Sequence, residues 1–383
     1  MEALVGMDSH IQKMFSLLRI GSDDVRMVGI WGMAGIGKTT IAEAVYQKIR
    51  TQFEGCCFLS NVREKSQKND PAVIQMELLS QIFEEGNLNT GVLSGGINVI
   101  EKTLHSMRVL IVLDDVDCPQ QLEVLAGNHN WFGPGSRIII TTREKHLLDE
   151  KVEIYEVKEL NKDEARKLFY QHAFKYKPPA GDFVQLCDRA LNYTKGIPLA
   201  LKILGRFLYN RSKKEWESEL EKLRRIPNKE IQDVLRISFD GLDDNQKDIF
   251  LDIACFFKGQ DKDYVIKLLK SCDFFPEIGI RNLIDKSLVT ISYNKLCMHD
   301  LIQEMGWEIV RQESIKDPGK RSRLWVNDDV IDMLTTNTVR PKCTTNFFFF
   351  CLLFNFNFEL ILCSWFIVRG LKQLKAWSLT CLL

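Results

Sequence analysis

Neither sign of charge is in excess in this sequence of 383 residues: Lys and Arg total 51, and Asp and Glu also total 51. A formal net charge of zero leaves no global basic field to draw the chain to DNA or RNA, although a local basic patch is compatible with the count. The eleven cysteines are scattered, include the neighbours Cys56-Cys57, and form no C-x-x-C pair. That spacing fits neither a zinc cluster nor a disulfide framework and points to reduced thiols. The opening Met1–Gly6 has neither the basic start nor the apolar core of a secretory signal, so the expected location is the cytoplasm or the nucleus. What is present is ordinary for globular protein, 45% hydrophobic and 27% charged residues in a length that allows two or three domains.

Gly32-Met33-Ala34-Gly35-Ile36-Gly37-Lys38-Thr39-Thr40 fits the pattern G-x-x-x-x-G-K-[ST]. Glycines at its ends let successive backbone N–H groups face phosphates, Lys38 can reach β/γ oxygens, and the Thr39 hydroxyl can ligate Mg²⁺. The alternative is a glycine-rich turn, and the flanks decide against it. Val25–Trp31 is an apolar run of strand length, and Ile41, Ala42, Val45, Tyr46 and Ile49 form the stripe of an amphipathic helix. The loop, with Gly35, Ile36, Gly37 and Thr40 against the anion, therefore opens a helix whose N-terminal dipole favours negative charge.

Strand-like runs alternate with helical patterns from Val25 to Val157, the signature of a parallel α/β sheet. The strands are Val25–Trp31, Cys56–Asn61, Arg108–Leu113, Ser136–Thr141 and Val152–Val157, each apolar enough to be covered on both faces. Ala72–Glu85 and Gly96–Ser106 carry helix-period apolar residues between them. Beyond Glu159 follow the helices Lys162–Ala173, Asp182–Tyr193, Pro198–Tyr209, Lys213–Arg225 and Lys229–Ser238, with Asn161 and Asp182 as N-caps. From Asp243 to Gln312 further helices are interrupted by Ser287–Ser292, Tyr293-Asn294 and Lys295–Met298, which read as a β-hairpin. Helices with one hairpin suggest a winged helix, a shape used for DNA in some proteins and for protein contacts in others. The expected fold is thus a P-loop NTPase sheet (1–158), a helical subdomain (159–228) and a winged-helix subdomain (229–338).

Ligands of such sheets sit beyond the carboxyl ends of the strands. There Asp114-Asp115 closes the run Val109–Leu113, with one carboxylate suited to the Mg²⁺ shell and the other to polarising a water; the plain alternative is a solvated turn. Arg143 ends the next strand, where a guanidinium can detect a γ-phosphate or can simply be a surface arginine. Pro198 opens a helix in ordinary capping fashion. In Met298-His299-Asp300, Asp300 with Gln303 reads as a capping box for the helix Leu301–Gln312, and His299 as the residue before the cap.

In order, G-M-A-G-I-G-K-T-T, F-E-G-C-C-F-L-S-N-V-R-E, V-L-I-V-L-D-D-V-D, G-S-R-I-I-I-T-T-R, K-G-I-P-L-A-L, F-L-D-I-A-C-F-F and M-H-D resemble the NB-ARC module of plant disease-resistance proteins, over about Leu4 to Thr338. Asp117 and the Phe250–Phe257 block look like the subclass that carries a TIR domain. The resemblance implies an ADP/ATP switch of innate immunity with Mg²⁺, off with ADP and on with ATP, and at most a slow ATPase. It implies that Pro198 packs on the adenine, that Val5 lines the same pocket, and that His299 touches the β-phosphate of ADP. By the same resemblance Arg143 senses the nucleotide state, Asp114 serves Mg²⁺ and Asp115 assists hydrolysis. Expected partners are the adenine nucleotide and other proteins, copies of this chain among them, rather than a nucleic acid or a membrane. No TIR domain precedes Met1 and no leucine-rich repeat follows Thr338, so the family's NAD-cleaving activity and recognition surface are expected to be missing. Competing readings are a non-signalling decoy that binds nucleotide only, and a winged-helix regulator on DNA.

Phe347 to Val368 is nearly continuous apolar sequence, long enough on paper to cross a bilayer. Asn355, Asn357 and Glu359 sit near its middle, and a central carboxylate costs about 2.5–3.5 kcal/mol on insertion scales. Val339-Arg340 can be encoded by a sequence beginning G-T-A-A-G, like a splice donor, and the phenylalanine run that follows is of low complexity. Translated intron is therefore the favoured reading of 339–383, ahead of a membrane anchor or a buried helix.

Overall fold

The computed structural model describes residues 4–83, 98–175, 179, 181–224, 226–271, 274–326 and 329. The apolar run 347–368, with the readings attached to it, lies outside the described residues, as do 84–85 and 96–97 of the expected helices. The described residues form two compact units: those up to Leu242 together with Ile280–Thr290, and Asp243–Gly279 together with those from Ile291 onward.

The first unit is built on a parallel sheet of β1 (Arg26–Trp31), β2 (Gly55–Leu59), β3 (Val109–Val116), β4 (Arg137–Thr142) and β5 (Val152–Glu156), in the order β2-β3-β4-β1-β5. β3 and β4 are buried along almost their whole length, as their apolar runs demand. The expectation of two-sided burial fails at the edges. β2 alternates between buried and half-buried residues, and in β5 only Val152 is buried, with Glu153, Ile154 and Glu156 exposed. An edge strand has a neighbour on one side only, so its outer residues meet water. The order places the loop after β1 beside the ends of β3 and β4, where β3 runs on through Asp114 and Asp115 with a register shift between Leu113 and Val116.

Arg137 shows what an apolar strand pattern conceals. It is fully buried and its guanidinium donates to the carbonyls of Leu18, Arg19, Ser22, Asp24 and Ser136 at 2.5–2.9 Å, tying the turn before β1 to the sheet. That turn closes a helix the sequence patterns did not mark, Met7–Leu18, which buries Ile11, Met14 and Leu18.

The helices Lys162–Phe174, Val184–Thr194, Pro198–Leu208, Lys213–Leu223 and Lys229–Asp240 complete this unit. As expected, Asn161 caps the first of them, accepting from Asp163 N and Glu164 N, and Glu164 reaches back to complete a capping box. Asp182 does not cap the second: it sits in a 3₁₀ turn, Gly181–Phe183, and the helix starts after Phe183 without a side-chain cap. The buried Trp216 anchors this layer, stacked on Phe174, edge-on to Phe169 and Phe183, and donating its Nε1 to Leu208 O at 2.9 Å.

In the second unit the helix Asp244–Asp252 runs into a π-helical turn, Ile253–Phe257, followed by Lys262–Lys270 and, later in the chain, Asp300–Glu313. The hairpin pairs Thr290–Ser292 with Lys295–Cys297, and its tip residues Tyr293 and Asn294 have φ of 48° and 60°, the left-handed pair that a type I′ turn requires. The expected capping box at Asp300 and Gln303 is not formed. His299 is the N-cap, its Nδ1 accepting from Leu301 N at 3.1 Å. Lys258, at the end of the π turn, draws the other two side chains away: its Nζ donates to Asp300 Oδ1 at 2.5 Å and to Gln303 Oε1 at 2.9 Å.

Candidate nucleotide-binding site

The loop after β1 adopts left-handed backbone at Gly32, Gly35 and Gly37, with φ of 156°, 75° and 104°. At Gly35 the need for glycine is also steric, since a Cβ there would lie 2.9 Å from Leu199 Cβ, and Gly35 O accepts from Leu199 N at 3.1 Å. The loop is thereby docked on the start of the Pro198–Leu208 helix. Gly37 opens the helix Lys38–Ile49, whose first N–H groups face the loop mouth. Lys38 is buried and donates to the carbonyls of Gly32 at 2.7 Å and Met33 at 2.9 Å. Burial, and then the nearby Arg143, pull its ammonium down to about 7, against the opposing pull of Asp115 and Asp114.

Thr39 and Asp114, the two residues expected to serve Mg²⁺, are in direct contact: Asp114 Oδ1 accepts from Thr39 Oγ1 at 2.7 Å and from Thr141 Oγ1 at 2.7 Å. Among the described residues no group of three or more His, Cys, Asp or Glu side chains is gathered for a metal ion. One hydroxyl and one carboxylate are the donors that suit Mg²⁺, which takes the rest of its shell from phosphates and water.

Asp115 has a left-handed φ of 57° and donates its N–H to Thr141 Oγ1 at 2.9 Å. Both of its carboxylate oxygens face guanidinium groups. Arg63 Nε donates to Oδ2 at 2.9 Å, and Arg143 NH2 lies 3.4 Å from Oδ1. Arg143 is largely shielded, and burial lowers its pKa, with Asp115 opposing that shift. The structure thus brings Lys38, Asp115 and Arg143 together as expected, and adds Arg63. Sequence reasoning missed Arg63 as a site residue. It stood within F-L-S-N-V-R-E, but nothing local to that segment shows that the helix after β2 turns it towards the end of β3.

A second part of the site is a pocket open to solvent, lined by Ile36, Gly37 and Thr40 of the loop region together with Val5 and Pro198. Two residues expected to meet a base therefore share one cavity with the phosphate loop. His10 also lines it, unforeseen because the Met7–Leu18 helix was unforeseen. Its Nδ1 lies 2.5 Å from Tyr155 OH, and burial lowers its pKa against the pull of Glu164. His299 belongs to the second unit, where Nδ1 is committed to the helix cap and neutral imidazole therefore carries its proton on Nε2.

An ordered sheet with a phosphate loop, a hydroxyl and carboxylate for Mg²⁺ and an arginine at the next strand end defines the class of P-loop nucleotide-binding proteins. The family model of the NB-ARC domain matches residues 7–178, and that of the "Disease resistance protein Roq1-like, winged-helix domain" matches 243–314. The chain thus carries an NB-ARC domain followed by a winged-helix domain, and the relatives it matches over this region are TIR-class plant disease-resistance proteins. It is 50% identical over 335 residues to Disease resistance protein RUN1 of Vitis rotundifolia, covering 87% of this chain and 25% of that one. To TMV resistance protein N of Nicotiana glutinosa it is 46% identical over 347 residues, covering 88% and 30%. Among solved structures, the Walker-type ATPase paby2304 of Pyrococcus abyssi matches with TM-score 0.47 and 14% identity, over 79% of this chain and 96% of that one. The chain spans between a quarter and a third of the length of these curated relatives.

Proposed function

We propose that this chain binds ADP and ATP with Mg²⁺ and acts as a nucleotide-dependent switch in plant defence signalling, off with ADP and on with ATP. The observation that carries the binding half of this reading is the continuity of the phosphate loop with the apolar pocket. Ile36, Gly37 and Thr40 line one wall of it and Val5 and Pro198 line others, so a purine can lie against Val5 and Pro198 while its phosphates reach Lys38. When bound, Mg²⁺ supplies charge neutralisation at the outer phosphates, held by Thr39 and Asp114. The switching half rests on which interactions change with nucleotide state. A diphosphate and a triphosphate differ by one anionic group, and the shielded Arg143 and Arg63 at the strand ends are the side chains able to register it. Hydrolysis, on this reading, is slow and resets the switch.

Purified full chain is expected to carry ADP through gel filtration, and Lys38→Ala is expected to abolish that retention. A Lys38→Ala chain as fully loaded as the wild type refutes the phosphate assignment.

A further inference from the structure

Asp115 is gripped from two sides, by Arg63 at 2.9 Å and by Arg143 at 3.4 Å. The three side chains are shielded alike, with exposures of 25% for Arg63, 20% for Asp115 and 16% for Arg143. Two guanidinium groups share one carboxylate, so the cluster holds one positive charge more than Asp115 cancels. Part of that surplus is buried, since Arg143 NH1 has no hydrogen-bond partner among the described residues. A buried cationic donor left without an acceptor is costly, and an arriving anion relieves the cost. Lys38 of the phosphate loop feels both Arg143 and Asp115, which makes the cluster electrostatically continuous with the phosphate site. Asp115 has left-handed backbone, which aspartate and asparagine both tolerate, and its N–H is held by Thr141 Oγ1 at 2.9 Å.

We propose that Asp115 is an internal anion that competes with the terminal phosphate of a nucleoside triphosphate for Arg63 and Arg143, and that Arg63 is the second guanidinium by which the site tells triphosphate from diphosphate. This rests on the nucleotide binding proposed above. With a diphosphate bound, Asp115 remains the counter-charge of both arginines. A terminal phosphate, more highly charged and with three acceptor oxygens, is the stronger partner for a guanidinium fork and takes Asp115's place.

The test is calorimetric titration of the nucleotide-stripped full chain with ADP and with a non-hydrolysable ATP analogue, both with Mg²⁺. Arg63→Ala is expected to shift the ratio of the two dissociation constants about tenfold against the triphosphate, the worth of a charge-assisted hydrogen bond. Asp115→Asn is expected to shift it several-fold in the opposite direction, and asparagine keeps the left-handed backbone without strain. Its effect does not depend on Arg63→Ala folding. Equal weakening of both nucleotides in Arg63→Ala, an unchanged ratio in either variant, or a shift against the triphosphate in Asp115→Asn overturns the inference. Wild-type chain that binds neither nucleotide overturns the proposed function itself, whereas wild-type binding with an unmoved ratio overturns only the competition.

Discussion

The indole Nε1 of Trp31 donates to the carbonyl oxygen of Arg143 at 3.1 Å and to that of Asp285 at 3.2 Å. The last residue of β1 thus holds the backbone of the arginine whose side chain faces Asp115. Neighbouring contacts brace the same segment: Lys145 Nζ lies 4.8 Å over the Trp31 ring, and Lys286 Nζ donates to the buried Glu144 at 2.6 Å. Arg143 is therefore positioned by its main chain as well as by the carboxylate it meets.

Trp31→Phe keeps the buried ring and removes the donor. Two carbonyls lose a partner, so urea denaturation of the variant is expected to show a loss of about 1–3 kcal/mol. A midpoint equal to the wild type would mean that the indole bonds contribute nothing.

Lys38 gives the site a pH dependence whose sign is determined. Its ammonium titrates near 7 in the nucleotide-free fold against an ordinary value of 10.5, so between these limits the unfolded chain binds the extra proton. Stability of the nucleotide-free chain is expected to rise with pH across that window, by at most about 1.4 kcal/mol per pH unit. Bound phosphate favours the charged lysine, so ADP binding takes up a proton above pH 7 and ADP affinity falls as pH rises. Titrations in buffers of different ionisation enthalpy measure that uptake, and Lys38→Met should remove the stability slope.

Gly35→Ala places a Cβ 2.9 Å from Leu199 Cβ at a φ of 75°. Both strain and clash push the loop off the Pro198–Leu208 helix. The expected outcome is a loss of about 1–3 kcal/mol in thermal or urea unfolding, with weakened ADP binding. Ala34→Gly, one residue earlier, serves as the control for simple flexibility.

His299→Ala removes an N-cap and is expected to destabilise the second unit by about 1 kcal/mol. His299→Asn restores a capping side chain without the imidazole. If stability recovers in His299→Asn while ADP release stays faster than wild type, the imidazole has a role at the diphosphate beyond the cap. Equal ADP release rates in all three proteins would leave His299 the cap alone.

The legible parts of this fold are those whose cause is local. β3 and β4 could be read because Arg108–Leu113 and Ser136–Thr141 are largely apolar runs, and the Asn161 N-cap because it acts on backbone two and three residues on. The phosphate loop was legible because its glycines, lysine and threonine act through neighbouring backbone. Asp300 was misread for the opposite reason: Lys258, far earlier in the chain, outcompetes the helix N-terminus for its carboxylate with a full positive charge. The exposure of β5 was missed because edge position is a property of strand order, which no single run reveals.

By itself, the sequence determined a phosphate loop between a strand and a helix, an acidic pair and an arginine at later strand ends, and the order of motifs that marks the NB-ARC family. Only the tertiary structure decided that Thr39 meets Asp114, that Arg63 joins Arg143 on Asp115, and that His10 lines the pocket of Val5 and Pro198. The physical reason is range. Backbone conformation and amphipathic burial are set by residues within a turn or two, whereas charge pairing and cavity shape depend on distances between segments that only chain folding brings together.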